Sequence, residues 1–297
     1  ISFFMNNQDI KINLTDGGYK FPIKILEVNE ALDLNKYYQE TKNKNISKNL
    51  ILEHKFKAHI IFKKINELIN NKKILDIVES FIGPNLLCWN SIIFYKAKYS
   101  KTFVGWHEDK TYWNLDNNKV LTLSIALSNS KIENGCLKFL KKKRKVDYEI
   151  LKSKNNILAR GQNAILNERD DYENIELKPG EACIFGQDAV HGSDKNESNE
   201  DRFLLAIRYI STDNKTNNNH KSATLVRGVD NYKYYDPEPV PTKDFDEKCL
   251  SFHQKLMAKQ TEIFAKYKLQ KYKLSFLSFI VKVPYVRYLY YLLNKKI

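Results

Sequence analysis

Arginine and cysteine are scarce in this chain, and neither an export leader nor a long uninterrupted apolar run stands out. Four cysteines, Cys88, Cys136, Cys183 and Cys249, lie far apart with no CxxC spacing. That excludes a zinc knuckle and a dense disulfide framework, so reduced thiols in a cytoplasmic protein are expected. The opening ISFFMNNQDI has too short an apolar run for a signal-peptide core and no basic lead, so export is not expected. The final LSFLSFIVKVPYVRYLYYLLNKKI is broken by Lys282, Pro284 and Arg287, short of the roughly 18 uninterrupted apolar residues that a membrane span requires. It reads first as a helix packed on its own domain or on a second subunit, and second as a helix lying on a membrane surface.

Of 49 basic residues only seven are arginine, and the formal net charge is +14. Lysine, asparagine and isoleucine recur along the whole length, a compositional bias rather than a basic patch. No nucleic-acid-binding motif accompanies the charge, so nucleic acid is not an expected partner. Scarcity makes the remaining arginines informative, because a bidentate fork to a carboxylate is a task lysine cannot perform. Arg160, Arg202, Arg208 and Arg227 are the ones to follow.

Residues 30 to 82 place Ile, Leu and Phe at three- and four-residue spacing up to Gly83-Pro84, which predicts helices. From Leu86 the character changes to strands: LLCWNSIIFYKAKY, VLTLSIAL, GCLKFL, EACIFGQDAVH and FLLAIRYI. Helices followed by short strands predict an α+β, mainly β protein, with helices bracing a sandwich or barrel over residues 86 to 212. Residues 141 to 178 are polar and turn-rich and read as a long insertion or lid. No internal repeat is present. The expected organisation is one domain over residues 1 to 255 and a basic, aromatic helical extension over 256 to 297.

Chemistry concentrates in GWHEDKTYW, where His107 and Asp109 are two apart. On an extended segment both face one side and Glu108 the other. His191 in ACIFGQDAVHGS, followed eleven residues later by Arg202, completes the set. Two imidazoles and a carboxylate suit ferrous iron and leave coordination positions open for a chelating cosubstrate and dioxygen, with zinc a geometric competitor. The planar guanidinium of Arg202 suits the distal carboxylate of 2-oxoglutarate.

The sequence resembles the phytanoyl-CoA dioxygenase family, whose motif is HxD, a distal His and an Arg about eleven residues on. The likeness spans roughly residues 14 to 255 and includes FVGWHEDKTYWNL, LTLSIALSNSKIENGC, ILARGQ, LKPGEACIFGQDAVHGSDKN and ATLVRGVDNY. It implies a double-stranded β-helix, the cupin-like jelly roll. It also implies an iron(II)- and 2-oxoglutarate-dependent dioxygenase that uses O2 and releases succinate and CO2. His107, Asp109 and His191 would be the metal ligands, with Arg202 and Ser193 on the cosubstrate. The branch resembled includes aliphatic halogenases, which carry a small residue at the carboxylate position; Asp109 favours hydroxylation. Two departures stand out: FLKKKRK replaces the family's usual turn after its NGC segment, and Ser124 stands where many relatives have Trp.

Four residues remain as candidate substrate contacts: Arg160 and Gln162 in ILARGQ, Trp113 beside the HxD motif, and Lys96 on the preceding strand. The substrate is expected to be a small organic molecule, free or tethered to coenzyme A or a carrier protein, which the basic run Lys141 to Lys145 would suit. The alternatives are a non-catalytic metal-binding jelly-roll module and a halogenase-like oxygenase. His54, His59 and His253 fall on helical stretches and read as structural or surface residues.

Overall fold

A computed structural model of the chain describes residues 13–44, 55–151, 153–158, 160–217 and 221–257. In chain order the elements are β1 (Tyr19–Lys24), α1 (Val28–Lys44), α2 (Ala58–Ile61), α3 (Lys63–Ile69), α4 (Lys72–Ile82), β2 (Leu86–Lys96), β3 (Val104–His107), α5 (Lys110–Trp113) and β4 (Val120–Ala126). They continue with β5 (Leu137–Leu140), β6 (Tyr148–Ile150), β7 (Gln162–Ala164), β8 (Tyr172–Ile175), β9 (Glu181–Phe185), β10 (His191–Ser193), β11 (Arg202–Ser211), β12 (Ser222–Arg227) and β13 (Asp236–Pro237). A further helix covers 247–257.

Two sheets face one another as a jelly roll. The larger runs β1-β9-β4-β11-β2-β12-β13, the smaller β3-β10-β5-β8, and β6 and β7 form a separate hairpin. Strand alternation splits β4 and β11 cleanly. Leu121, Leu123 and Ile125 with Phe203, Leu205, Ile207 and Tyr209 pack under the helices. Ala126 and Leu204, of opposite parity, join Phe139, Ile175, Cys183 and Phe185 between the sheets. Both faces of β11 are therefore buried, which explains its nearly continuous apolar run.

Helix α4 shows how the bracing layer is specified. Asn71 caps it by accepting from the backbone N–H groups of Lys73 and Ile74, and Gly83 ends it at φ 90°, a conformation costly for any residue with a Cβ. Ile74, Leu75, Ile77, Val78 and Ile82 are buried on one face. At about 1.5–3 kcal/mol for each fully buried aliphatic side chain, that face, not the exposed lysines at the helix start, fixes where the helix docks.

The fold agrees with the expected helix-braced jelly roll, with three corrections. The β structure extends beyond residues 86 to 212, because β1 adds an edge strand beside β9 and β12 lies beside β2. β1 was hidden by Pro22, which an edge strand tolerates because half its backbone groups pair with nothing; β12 was hidden behind a polar loop. The presumed insertion at 141 to 178 contains three short strands, β6, β7 and β8, the last of which completes the smaller sheet. The basic run stays at the surface, where Lys141 pairs with Asp171, Lys143 with Asp188 and Arg144 with Asp170. The expected helical extension at 256 to 297 lies, beyond Met257, outside the described residues, as does His54. All four cysteines are buried free thiols. Among the described residues no helix is long and apolar enough to cross a membrane.

Candidate metal centre

The end of β3 and the start of β10 are adjacent antiparallel strands in which His191 stands directly opposite His107. Cross-strand partners share a face, so the two imidazoles meet, with ring centroids 4.2 Å apart. His191 is further fixed by stacking on Phe139 and by Phe185, at 5.2 and 4.9 Å. Asp109 arrives differently from the extended geometry expected. It has φ −61° and ψ −32°, at the start of the short helix α5, so a turn rather than strand alternation brings its carboxylate round.

Ligand atoms of His107, Asp109 and His191 lie within 4.8 Å of one another, and all three residues are buried. His107 Nδ1 lies 2.9 Å from the Gly105 carbonyl and His191 Nδ1 lies 3.0 Å from that of Ala189. A carbonyl only accepts, so each Nδ1 carries the proton and each Nε2 presents a lone pair. Asp109 Oδ2 is buried with no hydrogen-bond partner. Three convergent lone-pair donors, none a thiolate, fit a hard or borderline divalent cation such as iron(II).

Electrostatics prepare these groups for a metal. Burial, reinforced by His107, pushes the His191 pKa down to about 3, so the imidazole is neutral at ordinary pH. Burial alone would raise the Asp109 pKa, but the Arg208 guanidinium and the two imidazoles outweigh it and hold the carboxyl well below its ordinary range. Glu108, as expected, faces the other way. It is also buried, accepts from Tyr148 of the β6–β7 hairpin at 2.9 Å and pairs with Lys110 at 2.7 Å.

At the other end of β11, Arg202 stands opposite Lys96. They are 2% and 4% exposed, and among the described residues neither forms an ion pair. Arg202 donates to the Gly135 carbonyl at 2.6 Å and leaves its Nε without a partner. Lys96 donates to Ser193 Oγ at 2.9 Å and to the Asp194 carbonyl. Burial, then the neighbouring Arg202 charge, lowers the Lys96 pKa to about 6, and burial lowers that of Arg202 to about 10. Lys96 is thus placed with Arg202 and Ser193, not with the other candidate substrate contacts.

Those other candidates collect around α5. Arg160 donates to the Thr111 carbonyl at 2.8 Å and lies 5.0 Å from the Tyr112 ring, whose centroid is 6.0 Å from that of His107. Gln162 opens β7 with Oε1 buried and unpartnered. Trp113 is buried, edge-on to Trp89 at 5.6 Å, and covered by the Arg208 guanidinium at 5.0 Å. Arg208 stood among the scarce arginines of the sequence with no role of its own. The available signal was its even spacing from Arg202, which puts both on one face of a strand.

The phytanoyl-CoA dioxygenase (PhyH) family profile matches residues 25–204, more than half of the 297-residue chain. A probable alpha-ketoglutarate-dependent hypophosphite dioxygenase of Stutzerimonas stutzeri is 27% identical over 196 residues, 64% of this chain and 68% of that protein. A methylphosphonate hydroxylase of Gimesia maris is 28% identical over 145 residues, 49% of this chain and 53% of the hydroxylase. The apo non-heme monooxygenase ThoJ superposes with a TM-score of 0.73 at 24% identity, covering 87% of this chain and 96% of ThoJ. CytC3 with Fe(II) and alpha-ketoglutarate gives 0.57 at 22%, covering 78% and 92%. At these identities the structural likeness speaks to the jelly-roll fold. Fold, convergent His-Asp-His donors and family match agree: the chain belongs to the phytanoyl-CoA dioxygenase family of iron(II)- and 2-oxoglutarate-dependent oxygenases.

Proposed function

We propose that this protein hydroxylates an unactivated C–H bond of a small molecule, with His107, Asp109 and His191 holding iron(II) and Arg202, Lys96 and Ser193 holding the distal carboxylate of 2-oxoglutarate. The observation that carries this reading is the pairing of two features: three converging metal donors, and, on the same inner region of the jelly roll, a lysine and an arginine buried side by side without a counter-ion. Two such basic groups directly opposite in a sheet repel when both are charged, and burial beside Arg202 drives the Lys96 pKa down to about 6. Their retention is explained by a ligand that brings the missing negative charge.

The metal and cosubstrate would supply the oxidation, consuming O2 and releasing succinate and CO2. The chain's own residues do the positioning. Backbone carbonyls of Gly105 and Ala189 keep both imidazoles in the ligating tautomer. Arg202 offers N–H donors in a planar fork, Lys96 an amine that the carboxylate would bring into its ammonium form by proton uptake, and the hairpin held by Tyr148 through Glu108 covers the strand that carries His107.

Relatives named for hypophosphite and methylphosphonate suggest small phosphorus oxyanions as substrates to try first, and of the two only methylphosphonate carries the C–H bond that the proposed reaction needs. Surface pairing of Lys141, Lys143 and Arg144 with aspartates offsets part of the charge that would have favoured an acidic carrier, so a free substrate is the simpler reading.

The test is anaerobic addition of iron(II) and 2-oxoglutarate, followed by visible charge-transfer absorption, then succinate formation in air with ascorbate. Wild type should show both. Asp109→Gly should lose hydroxylation without gaining efficient chlorination. Absence of the absorption band and of succinate in wild type would overturn the reading; efficient chlorination by the variant would favour the halogenase alternative.

A further inference from the structure

The site as proposed uses Arg202 on the cosubstrate and gives Arg208 only its long-range hold on Asp109. Six residues further along β11, Arg208 shares the inner face and is 9% exposed. Its Nη2 lies 3.8 Å from Asp109 Oδ2, an ion pair too long to be a hydrogen bond, and its Nε has no partner. One side of the guanidinium is covered by Trp113 at 5.0 Å. Thr122 stands opposite Arg208 in the β4–β11 register and buries a hydroxyl that has no partner either. Between the two arginines the inner face is floored by Ala206, Ser124 and Cys183, successive register neighbours across three strands. Such small side chains fill little of the layer between the sheets.

Charge bookkeeping points the same way. Iron(II), the Asp109 carboxylate and a 2-oxoglutarate dianion sum to −1. Arg202 and Arg208 add +2, leaving +1 even with Lys96 neutral. A buried cation is tolerated when it is paired and hydrogen-bonded, and among the described residues only the 3.8 Å ion pair with Asp109 goes toward that for Arg208.

We infer that Arg208, aided by the Thr122 hydroxyl, anchors an oxyanion of the primary substrate, so that the substrate is a compact acid bound with its anionic end beside Asp109. This rests on the oxygenase reading above. The carbon bearing the anionic group then lies nearest the metal and is the one oxidised: R–CH2–X⁻, O2 and 2-oxoglutarate give R–CH(OH)–X⁻, succinate and CO2. One oxygen atom enters the new hydroxyl and the other enters succinate.

Calorimetry on the anaerobic iron(II)–2-oxoglutarate complex tests this, with methylphosphonate as the phosphonate probe, acetate as the carboxylate probe and dimethyl methylphosphonate as the neutral control. Wild type should bind at least one of the anions and not the neutral ester. Arg208→Met should weaken anion binding about 10- to 100-fold, the scale of a lost charge-assisted hydrogen bond. Arg208→Lys should recover part of it, Thr122→Val should cost less than Arg208→Met, and 2-oxoglutarate affinity should stay within about twofold in all three. An Arg208→Met variant that loses iron or 2-oxoglutarate as strongly as the anion would assign Arg208 to Asp109 or the cosubstrate and overturn the inference. So would equal binding of the neutral ester, or no binding of either anion. A wild-type protein that never forms the iron(II)–2-oxoglutarate complex fails at the earlier step and counts against the oxygenase reading itself.

Discussion

Two buried polar clusters in this molecule are built from the same kinds of side chain and do opposite things. Around Glu238, which is 7% exposed, the carboxylate accepts from His59 Nε2, Ser222 Oγ and Thr224 Oγ1, each at 2.8 Å, and from Lys57. Lys57 also donates to the carbonyls of Trp89 and Ser222, at 2.6 and 2.9 Å, and His59 Nδ1 meets Ser91 Oγ at 2.7 Å. Around Asp109 the ligand atoms of His107, Asp109 and His191 converge without completing one another, and Arg208 Nη2 stands 3.8 Å from Asp109 Oδ2. A closed network joins segments: α2, β2, β12 and the chain at Glu238 are tied through a single carboxylate. An open one waits for a ligand. Residue type does not separate the two; hydrogen-bond satisfaction does.

The comparison is sharpest when one member of each cluster is removed. His107→Ala should reduce iron affinity by more than the 10–100-fold typical of losing an outer-shell partner, with little change in the urea midpoint. Glu238→Ala should do the reverse. It strands Lys57 and His59 without their acceptor and should cost about 3–5 kcal/mol of stability, leaving iron affinity of the folded fraction intact. Equal stability losses from the two variants would break the distinction.

A smaller effect is expected at Lys96, where the pH dependence has a definite sign. Its pKa near 6 in the folded chain lies below the roughly 10.4 of an unfolded lysine. Between those values the unfolded chain binds the extra proton, so this residue makes stability rise with pH across the window. Lys96→Met should flatten that rise and stabilise the metal-free protein at neutral pH by at least about 1 kcal/mol, one pKa unit being worth about 1.4 kcal/mol, while weakening 2-oxoglutarate binding. Wild type should take up close to one proton on binding 2-oxoglutarate at pH 7.5, measured by calorimetry in buffers of different ionisation enthalpy. Binding without proton uptake would mean Lys96 does not meet the carboxylate.

The smallest effect belongs to the β6–β7 hairpin. Tyr148→Phe removes one hydrogen bond to Glu108, which keeps its pair with Lys110, and should cost about 0.5–1 kcal/mol. Amide exchange in β6 and β7 should accelerate, with the smaller sheet unchanged.

Much of this was legible in advance because it depends on local pattern. Apolar residues at three- and four-residue spacing before Gly83-Pro84 announced the helices, and the apolar runs of β2, β4, β9 and β11 announced the larger sheet. His107, Asp109, His191 and Arg202 stood out by residue type and spacing. Strand β1 did not, because Pro22 argues against a strand unless its edge position is known. Strands β6, β7 and β8 did not, because a polar, turn-rich stretch looks the same whether it pairs with a sheet or not.

The chemical alphabet of the site was thus set by the sequence: two imidazoles, one carboxylate, and a few arginines in a lysine-rich chain. Tertiary structure alone decided which cations face which space. Lys96 meets Arg202, and Arg208 meets Asp109, through pairings between strands that are about 100 residues apart in the chain or joined by a turn. The physical reason is that strand alternation fixes only which side chains share a face. Register across the sheet fixes which of them are neighbours, and burial then determines whether a charge is satisfied by the protein or left to a ligand.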